Sequence, residues 1–350
     1  DRQRIEPILA CNPGPLGQAA RDLPVRVEEL PLARLRGEWS SPWRLLQGAR
    51  LLAQLIRREQ VDVVQSNVMR ASFYAALAAR WTRRPLVWHV RDIFTPGLYV
   101  RFMAHFSAAA IPISQASDAT FPAWLPSEIV PNGVDLAALD ARRGSRDAVR
   151  AEWGVAPDAP LVGLVGSLRR WKGHADFIRA MAVVGERHPQ ARFVLVGGEI
   201  FGADPSYRRE LRDLARSLHP RDRLLFAGQR DDMGAVLAAL DVLVHCSTAP
   251  EPFGRVMIEG MAAGLPVAAY AHGGALEIVA PGETGVLTPP CDPAALGQAV
   301  AALLADPARA RALGRAGRRR VEQEYDVRPL TRRVEAILER AAQSKPASSS

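Results

Sequence analysis

Lysine is almost absent from this chain of 350 residues: Lys172 and Lys345 are the only two among 45 basic residues, so 43 are arginines. With 37 acidic residues the formal net charge is +8, which suits nucleic acid, an acidic membrane surface or acidic small molecules as partners. Abundant alanine beside so much arginine matches the codon bias of a GC-rich genome, so charge alone selects none of these. Cysteine is scarce too. Cys11, Cys246 and Cys291 are odd in number and far apart, which excludes a disulfide framework and offers no metal-ligand or redox spacing. A reducing, cytoplasmic setting is the expectation. His245, His272 and the other histidines lack ligand spacing, and no metal is expected. No apolar run reaches the roughly 18 residues of a membrane span. The chain opens on Asp1 and shows no signal peptide,. What remains, 48% hydrophobic and 23% charged, is an ordinary globular composition with room for two separate cores.

Apolar strand-like runs alternate with alanine- and leucine-rich amphipathic helices, the pattern of parallel sheets covered on both faces. Residues 4–11 read as a strand, followed by strands over 61–65, 86–90 and 109–113 and helices over 43–58 and 71–81. A second series of strands begins at 161–165 and continues at 192–196, 224–226, 241–245 and 266–270. Between the two series, 136–160 is polar and punctuated by Gly144, Gly154 and Pro157, which suits a connection between domains,. Asn132-Gly133 reads as a turn needing positive φ at the glycine. The tail 341–350 ends in three serines and is expected to be disordered,. In 327–340, Val327, Leu330, Val334, Ile337 and Leu338 fall on one helical face, with Asp326 as a cap,.

The most informative stretch runs from Glu251 to Val267. An apolar strand ends at His245, Pro252 and Gly254 keep Glu251 in a loop, and a helix follows with Glu259 about one turn inside,. The start of that helix, with its unpaired N–H groups, attracts phosphate. Two carboxylates beside a phosphate would repel it, so they are read as holding neutral hydroxyls of a group attached to it, a sugar or a ribose. Lys172 sits in a loop after the strand 161–165, within Gly166-Ser167-Leu168-Arg169-Arg170-Trp171-Lys172-Gly173, where an isolated ammonium would neutralise a diphosphate,. His89 closes the strand 86–90 and faces either a cleft or a backbone carbonyl. Asp92 reads as a turn residue or an orienting carboxylate. Residues 309–320 carry six arginines and no acid, which reads as a solvated helix face,.

Glu251 and Glu259 resemble the paired-glutamate motif, Glu-x7-Glu, of retaining glycosyltransferases of family four. The resemblance extends, in family order, through Pro131-Asn132-Gly133-Val134-Asp135, the Lys172 loop, Gly273-Gly274-Ala275-Leu276-Glu277-Ile278-Val279 and Gly282-Glu283-Thr284-Gly285-Val286-Leu287. It implies the GT-B fold: α/β, two Rossmann-like domains facing a cleft, and a last helix crossing back to the first domain. The expected domains are an acceptor-side domain over 1–140 completed by 327–340, and a donor-binding domain over 141–326. Relatives begin with an earlier strand, a glycine-rich turn and a helix, so the first domain reads as truncated.

The implied activity is transfer of a sugar from a UDP-, GDP- or ADP-sugar, with no separate cofactor, to a hydroxyl of a glycan, lipid-linked or small-molecule acceptor. Bacterial glycan, glycolipid or cell-surface polysaccharide synthesis is the implied setting, with no nucleic acid partner and room for peripheral contact at the inner membrane surface. The implied catalytic residues are Glu251, His89 and Lys172. The implied donor-binding residues are Gly166, Ser167, Arg169, Lys172, Arg230, Phe253, Gly254, Arg255, Val256 and Glu259. Ser167 departs from the family, which usually has arginine there; either Arg169 or Arg170 reaches the same oxygens from the other side of the loop, or the site has lost one charge-assisted bond. Gly273-Gly274 is expected close to the sugar or its phosphate. A noncatalytic sugar-nucleotide binder and a GT-B-type isomerase or phosphorylase remain open as alternatives.

Overall fold

The computed structural model describes residues 3–32, 42–141, 146–199, 204–218 and 223–344. The chain divides into two compact units, Asp1–Pro131 with Pro329–Ser350, and Asn132–Arg328. All strands in both pair in parallel.

In the first unit, β1 (Ile8–Cys11) pairs with β2 (Arg26–Glu29), and β3 (Val64–Ser66), β4 (Leu86–Val90) and β5 (Ala109–Pro112) form a separate sheet in that order. The expected strand 61–65 starts late because Val61 still belongs to the end of the helix Pro42–Arg58. Gln60 turns to φ 52 and the Val61 amide donates to the Ile56 carbonyl at 3.0 Å, a left-handed helix stop that uses up the first residue of the run. The helix Met69–Thr82 covers the β3–β4–β5 sheet on one side, with Ala75, Ala76, Ala78 and Ala79 buried against Leu86, Trp88 and Val90.

The last helix, Val327–Gln343, covers another face. Leu330, Ile337, Leu338 and Ala341 pack with Val87, Ile111 and Val130. Arg340 and Arg333 reach Glu128 at 2.8 and 3.3 Å, and Asp326 Oδ1 accepts from the Arg328 amide at 2.9 Å as the cap. The crossing helix is therefore present. It also continues through 341–343, which were expected in the tail; 345–350 lie outside the described residues.

The second unit is a single six-stranded sheet in the order β11-β10-β9-β6-β7-β8, built from β6 (Leu161–Val165), β7 (Arg192–Val196), β8 (Leu224–Gly228), β9 (Val242–His245), β10 (Val267–Tyr270) and β11 (Gly285–Thr288). Its four inner strands, β10, β9, β6 and β7, are buried on both faces, hence their continuous apolar runs,. Phe177, Ile178, Met181 and Val184 of the helix His174–Arg187 pack with Leu296 and Val300 of the helix Pro293–Ala305 on Val162, Leu164, Phe193 and Leu195.

Two expectations are corrected here. The segment 136–160 is not a free connection: it forms the helices Leu136–Asp140 and Arg146–Glu152, and the boundary lies at Pro131/Asn132. The buried Arg150 and its neighbour Arg146 both pair with Asp241 and donate to carbonyls of Ala239, so the segment is anchored to the second unit. Gly133 does not take positive φ. It is glycine because a Cβ there would stand 2.5 Å from Val327 Cα, where the Val134 amide donates to the Tyr325 carbonyl at 2.8 Å and the Val134 carbonyl accepts from the Val327 amide at 3.1 Å.

Candidate active site

Two loops at the carboxyl ends of β6 and β9 meet in the second unit, the end of a parallel sheet where ligands bind. Three close contacts fix them, one from the end of β7 and two between the loops themselves. Gly197 crosses so near that a Cβ on it would lie 1.9 Å from the Gly166 carbonyl oxygen. Gly173, at φ 76, leaves no room either, since a Cβ would stand 1.7 Å from Cys246 O. The Thr248 amide donates to Trp171 O at 2.7 Å. Between these fixed points a short 3-10 turn, Arg170–Lys172, carries the lysine.

Lys172 Nζ lies 2.5 Å from Glu251 Oε1, with side-chain exposures of only 17% and 14%, and it also sits 4.4 Å above the Trp171 ring. The other carboxylate oxygen accepts from His245 Nε2 at 2.7 Å and from the Ser247 hydroxyl at 2.9 Å. His272 Nε2 reaches the Ser247 carbonyl at 2.5 Å. Burial alone would raise the Glu251 pKa, but the hydrogen bond and charge of His245 and the charge of Lys172 outweigh it and hold the carboxyl at about 2,. Glu251 is thus an anion whose two oxygens are both taken.

The Glu251 main chain is held as tightly. The Gly274 amide donates to Glu251 O at 2.8 Å. Gly273, at φ 56, would place a Cβ 2.5 Å from the same oxygen, and one on Gly274 would meet Phe253 O at 2.2 Å. The Gly-Gly pair therefore packs on the Glu251–Phe253 loop, and that packing by itself requires glycine at both positions.

The helix Arg255–Ala262 starts directly after this loop. Its cap is Gly254 at φ 90, so no side chain takes up the first amides, and the helix dipole favours negative charge there. Phe253 is buried against the Tyr325 ring at 5.9 Å, and Gly254 beside it is buried too. Val256 is half-buried in the first turn, and Arg255 pairs with Glu259 at 3.0 Å. Gly166 and Ser167 are half-buried in the lysine loop. Arg169 is exposed and has no ion pair among the described residues. Arg170 turns away to Glu210 and Asp204, at 2.7 and 2.8 Å, and stacks over Tyr207. Arg230 pairs with Asp232 at 2.8 Å and with Glu152, and none of its ion pairs go to Lys172 or Glu251.

His89 belongs to the first unit, at the end of β4. Burial, and then the charge of Arg91, lower its pKa to about 3, so it is neutral at ordinary pH. Gln65 Nε2 lies 2.9 Å from His89 Nδ1. The amide N–H donates and Nδ1 accepts, which leaves the ring proton on Nε2, a buried atom without a partner among the described residues,.

His245, Ser247 and Gln65 escape sequence reasoning. Spacing tests histidines for metals, and His245 fails that test. The available signal is that it is the last residue of a buried strand, where side chains reach the ligand end of the sheet. Ser247 and Gln65 carry no such signal.

The family model of group 1 glycosyl transferases matches residues 145–320, and that of glycosyltransferase family 4 matches residues 1–138. The chain belongs to the glycosyltransferases. Over 309 residues this glycosyltransferase is 28% identical to a lipopolysaccharide core biosynthesis mannosyltransferase of Rhizobium leguminosarum bv. viciae, covering 87% of this chain and 81% of that protein. It is 30% identical to the 2-deoxystreptamine glucosyltransferase of Streptomyces kanamyceticus over 57% of this chain and 51% of that one. The matched part spans about half the length of that relative, and 42% of a D-inositol 3-phosphate glycosyltransferase of Nocardia farcinica. The crystal structure of Anabaena HepE in complex with UDP and glucose superposes with a TM-score of 0.82 at 29% identity, covering 95% of this chain and 91% of that one. The fold is GT-B, with two Rossmann-like units.

Proposed function

We propose that this glycosyltransferase moves a sugar, with retention of anomeric configuration, from a UDP-, GDP- or ADP-sugar bound by the second unit to an acceptor hydroxyl. The observation that carries this reading is the shielded Lys172–Glu251 pair at 2.5 Å, set beside an uncapped helix start. Without donor, the two charges neutralise each other. A diphosphate arriving at the Arg255–Ala262 helix draws the ammonium to its own oxygens, and Glu251 is released to accept from sugar hydroxyls. As the bond to the diphosphate breaks, negative charge grows on the leaving group, and Lys172, the first amides of the helix and Arg169 stabilise it. Arg169 takes the part that Ser167 cannot.

Protein cations, not a metal, are proposed to carry that charge. Gly166, Ser167, Phe253, Gly254 and Val256 contribute backbone to the donor site, and Glu259, exchanging Arg255 for ribose, holds the nucleoside. Arg230 is kept by two carboxylates and is left out of this assignment. His89, whose Nε2 proton is buried and without a partner among the described residues, keeps the proposed role of donor to a substrate oxygen. No side chain in the second-unit site is placed as a covalent nucleophile, so attack on the same face as the departing phosphate is the proposed route. The Rhizobium relative, named for lipopolysaccharide core biosynthesis, supports a place in cell-surface glycan synthesis; the cytoplasmic side is proposed with it.

Incubation with a panel of nucleotide sugars and a mixture of glycan and glycolipid acceptors tests this. Release of nucleoside diphosphate with sugar on an acceptor is expected. Binding of nucleoside diphosphate without release from any donor would instead make the protein a sugar-nucleotide binder.

A further inference from the structure

Large apolar side chains crowd the carboxyl ends of β3 and β4 in the first unit and lie open. Val68 is 56% exposed, Met69 47%, Ile93 37% and Leu98 88%. β3 and β4 are hydrogen-bonded neighbours, with Ser66 opposite Trp88, so the loop entering the helix Met69–Thr82 and the loop entering the helix Leu98–Phe106 run side by side. The Tyr99 hydroxyl donates to Met69 O at 3.5 Å and joins them. Beneath them, Tyr99 packs on Phe73 and Phe94, each with ring centroids 5.1 Å away, and Phe94 on Trp88 at 5.7 Å. Contiguous exposed apolar surface of this kind marks an interaction site.

Cations border it. Arg70 follows Met69, and Arg101 stands three residues after Leu98, on the same side of that helix. Both are exposed, and neither side chain has a hydrogen bond or ion pair among the described residues. Asp92 is the acid in these two loops, and burial raises its pKa, which weakens its opposition to a second anion. His89, at the end of β4, adds a buried donor without a partner. Apolar surface flanked by free guanidinium groups complements an amphiphile with a phosphate, not a free sugar.

We propose that this face of the first unit binds the acceptor, and that the acceptor is a lipid phosphate whose chain lies on Val68, Met69, Ile93 and Leu98 and whose phosphate meets Arg70 and Arg101. The proposal rests on the transferase reading and supplies the acceptor's class.

Titration calorimetry with dodecyl phosphate, below the concentration at which it forms micelles, tests it against inorganic phosphate and dodecyl maltoside. Dodecyl phosphate should bind at least about tenfold more tightly than either, since a charge-assisted contact and a buried chain each contribute that much. Leu98→Ser, at a position too exposed to matter for folding, should weaken it by about tenfold, and Arg101→Ser should bring it to the level of the neutral detergent. Equal binding of inorganic phosphate would reveal a free-phosphate site and overturn the proposal. So would equal binding of the maltoside, or indifference to both substitutions. Nucleoside diphosphate is titrated into the same samples: its failure to bind would sink the transferase reading and leave the lipid result standing, while its undiminished binding beside a failed lipid titration would refute the acceptor class alone.

Discussion

Glu251 accepts from Lys172, His245 and Ser247 at once, so the charge it carries and the shape it holds can be separated by substitution. Glu251→Gln keeps the shape and frees Lys172. Affinity for nucleoside diphosphate should stay level or rise a few-fold, while turnover falls by roughly a hundredfold because the sugar is no longer positioned. Calorimetry beside a diphosphate-release assay reads both. A loss of affinity as large as that of Lys172→Ala would place Glu251 on the phosphate instead. Lys172→Ala itself should weaken nucleoside diphosphate by about tenfold or more, the worth of a hydrogen bond to a charged group. Arg170→Ala should leave that affinity unchanged, since Glu210, Asp204 and Tyr207 already occupy the guanidinium; an effect of Arg170 with silence at Lys172 would move the clamp to the other side of the loop.

At the scale of the element, the lysine loop depends on a glycine. Gly173 combines φ 76 with a Cβ position 1.7 Å from Cys246 O, whereas Gly282, at φ 79, has nothing within 4 Å of its Cβ position. Gly282→Ala should cost only backbone strain, about 1 kcal/mol, and retain nucleotide binding. Gly173→Ala adds a collision with main chain and should lower the melting temperature further while displacing Lys172, so that calorimetry detects no nucleoside diphosphate binding. Equal effects would show that φ, not contact, decides both positions. Strands such as Leu161–Val165, Arg192–Val196 and Leu86–Val90 were legible in the sequence because an unbroken apolar run between turn residues is what burial on two faces demands,. Val61 was misassigned because a helix stop borrows its first apolar residue from the next run. The site was legible as single residues and not as contacts. Lys172 and Glu251 are 79 residues apart, and two charges suited to one ligand read as partners of that ligand before they read as partners of each other. The same bias read Gly273 and Gly274 for their approach to a sugar or its phosphate and missed their packing on the Glu251 loop.

For the whole molecule, buried ionisable groups set the response to acid. Burial holds His89 at about 3 and His174 at about 4, against an ordinary 6.5. As pH falls below about 6.5 the unfolded chain takes up these protons and the folded one does not, so stability fully present above that pH is withdrawn toward pH 4 and below. Glu251, at about 2 against 4.5, withdraws more as pH falls from 4.5. Scanning calorimetry should find a melting temperature that is flat above pH 7 and declines from 6.5 downward; constancy between pH 7 and 5 would contradict the burial of both histidines.

The crossing helix has a further consequence, in time. The unit Asn132–Arg328 is contiguous, but the one that starts at Asp1 takes Leu330, Ile337 and Leu338 onto Val87, Ile111 and Val130. On a ribosome adding roughly 5–20 residues per second, the apolar face of β4 and β5 waits on the order of 10–40 s for its cover, while the later-encoded unit emerges and closes. Of the two units the one encoded earlier is finished later, and in the interval its open sheet face is a substrate for chaperones and proteases that the mature protein never shows them.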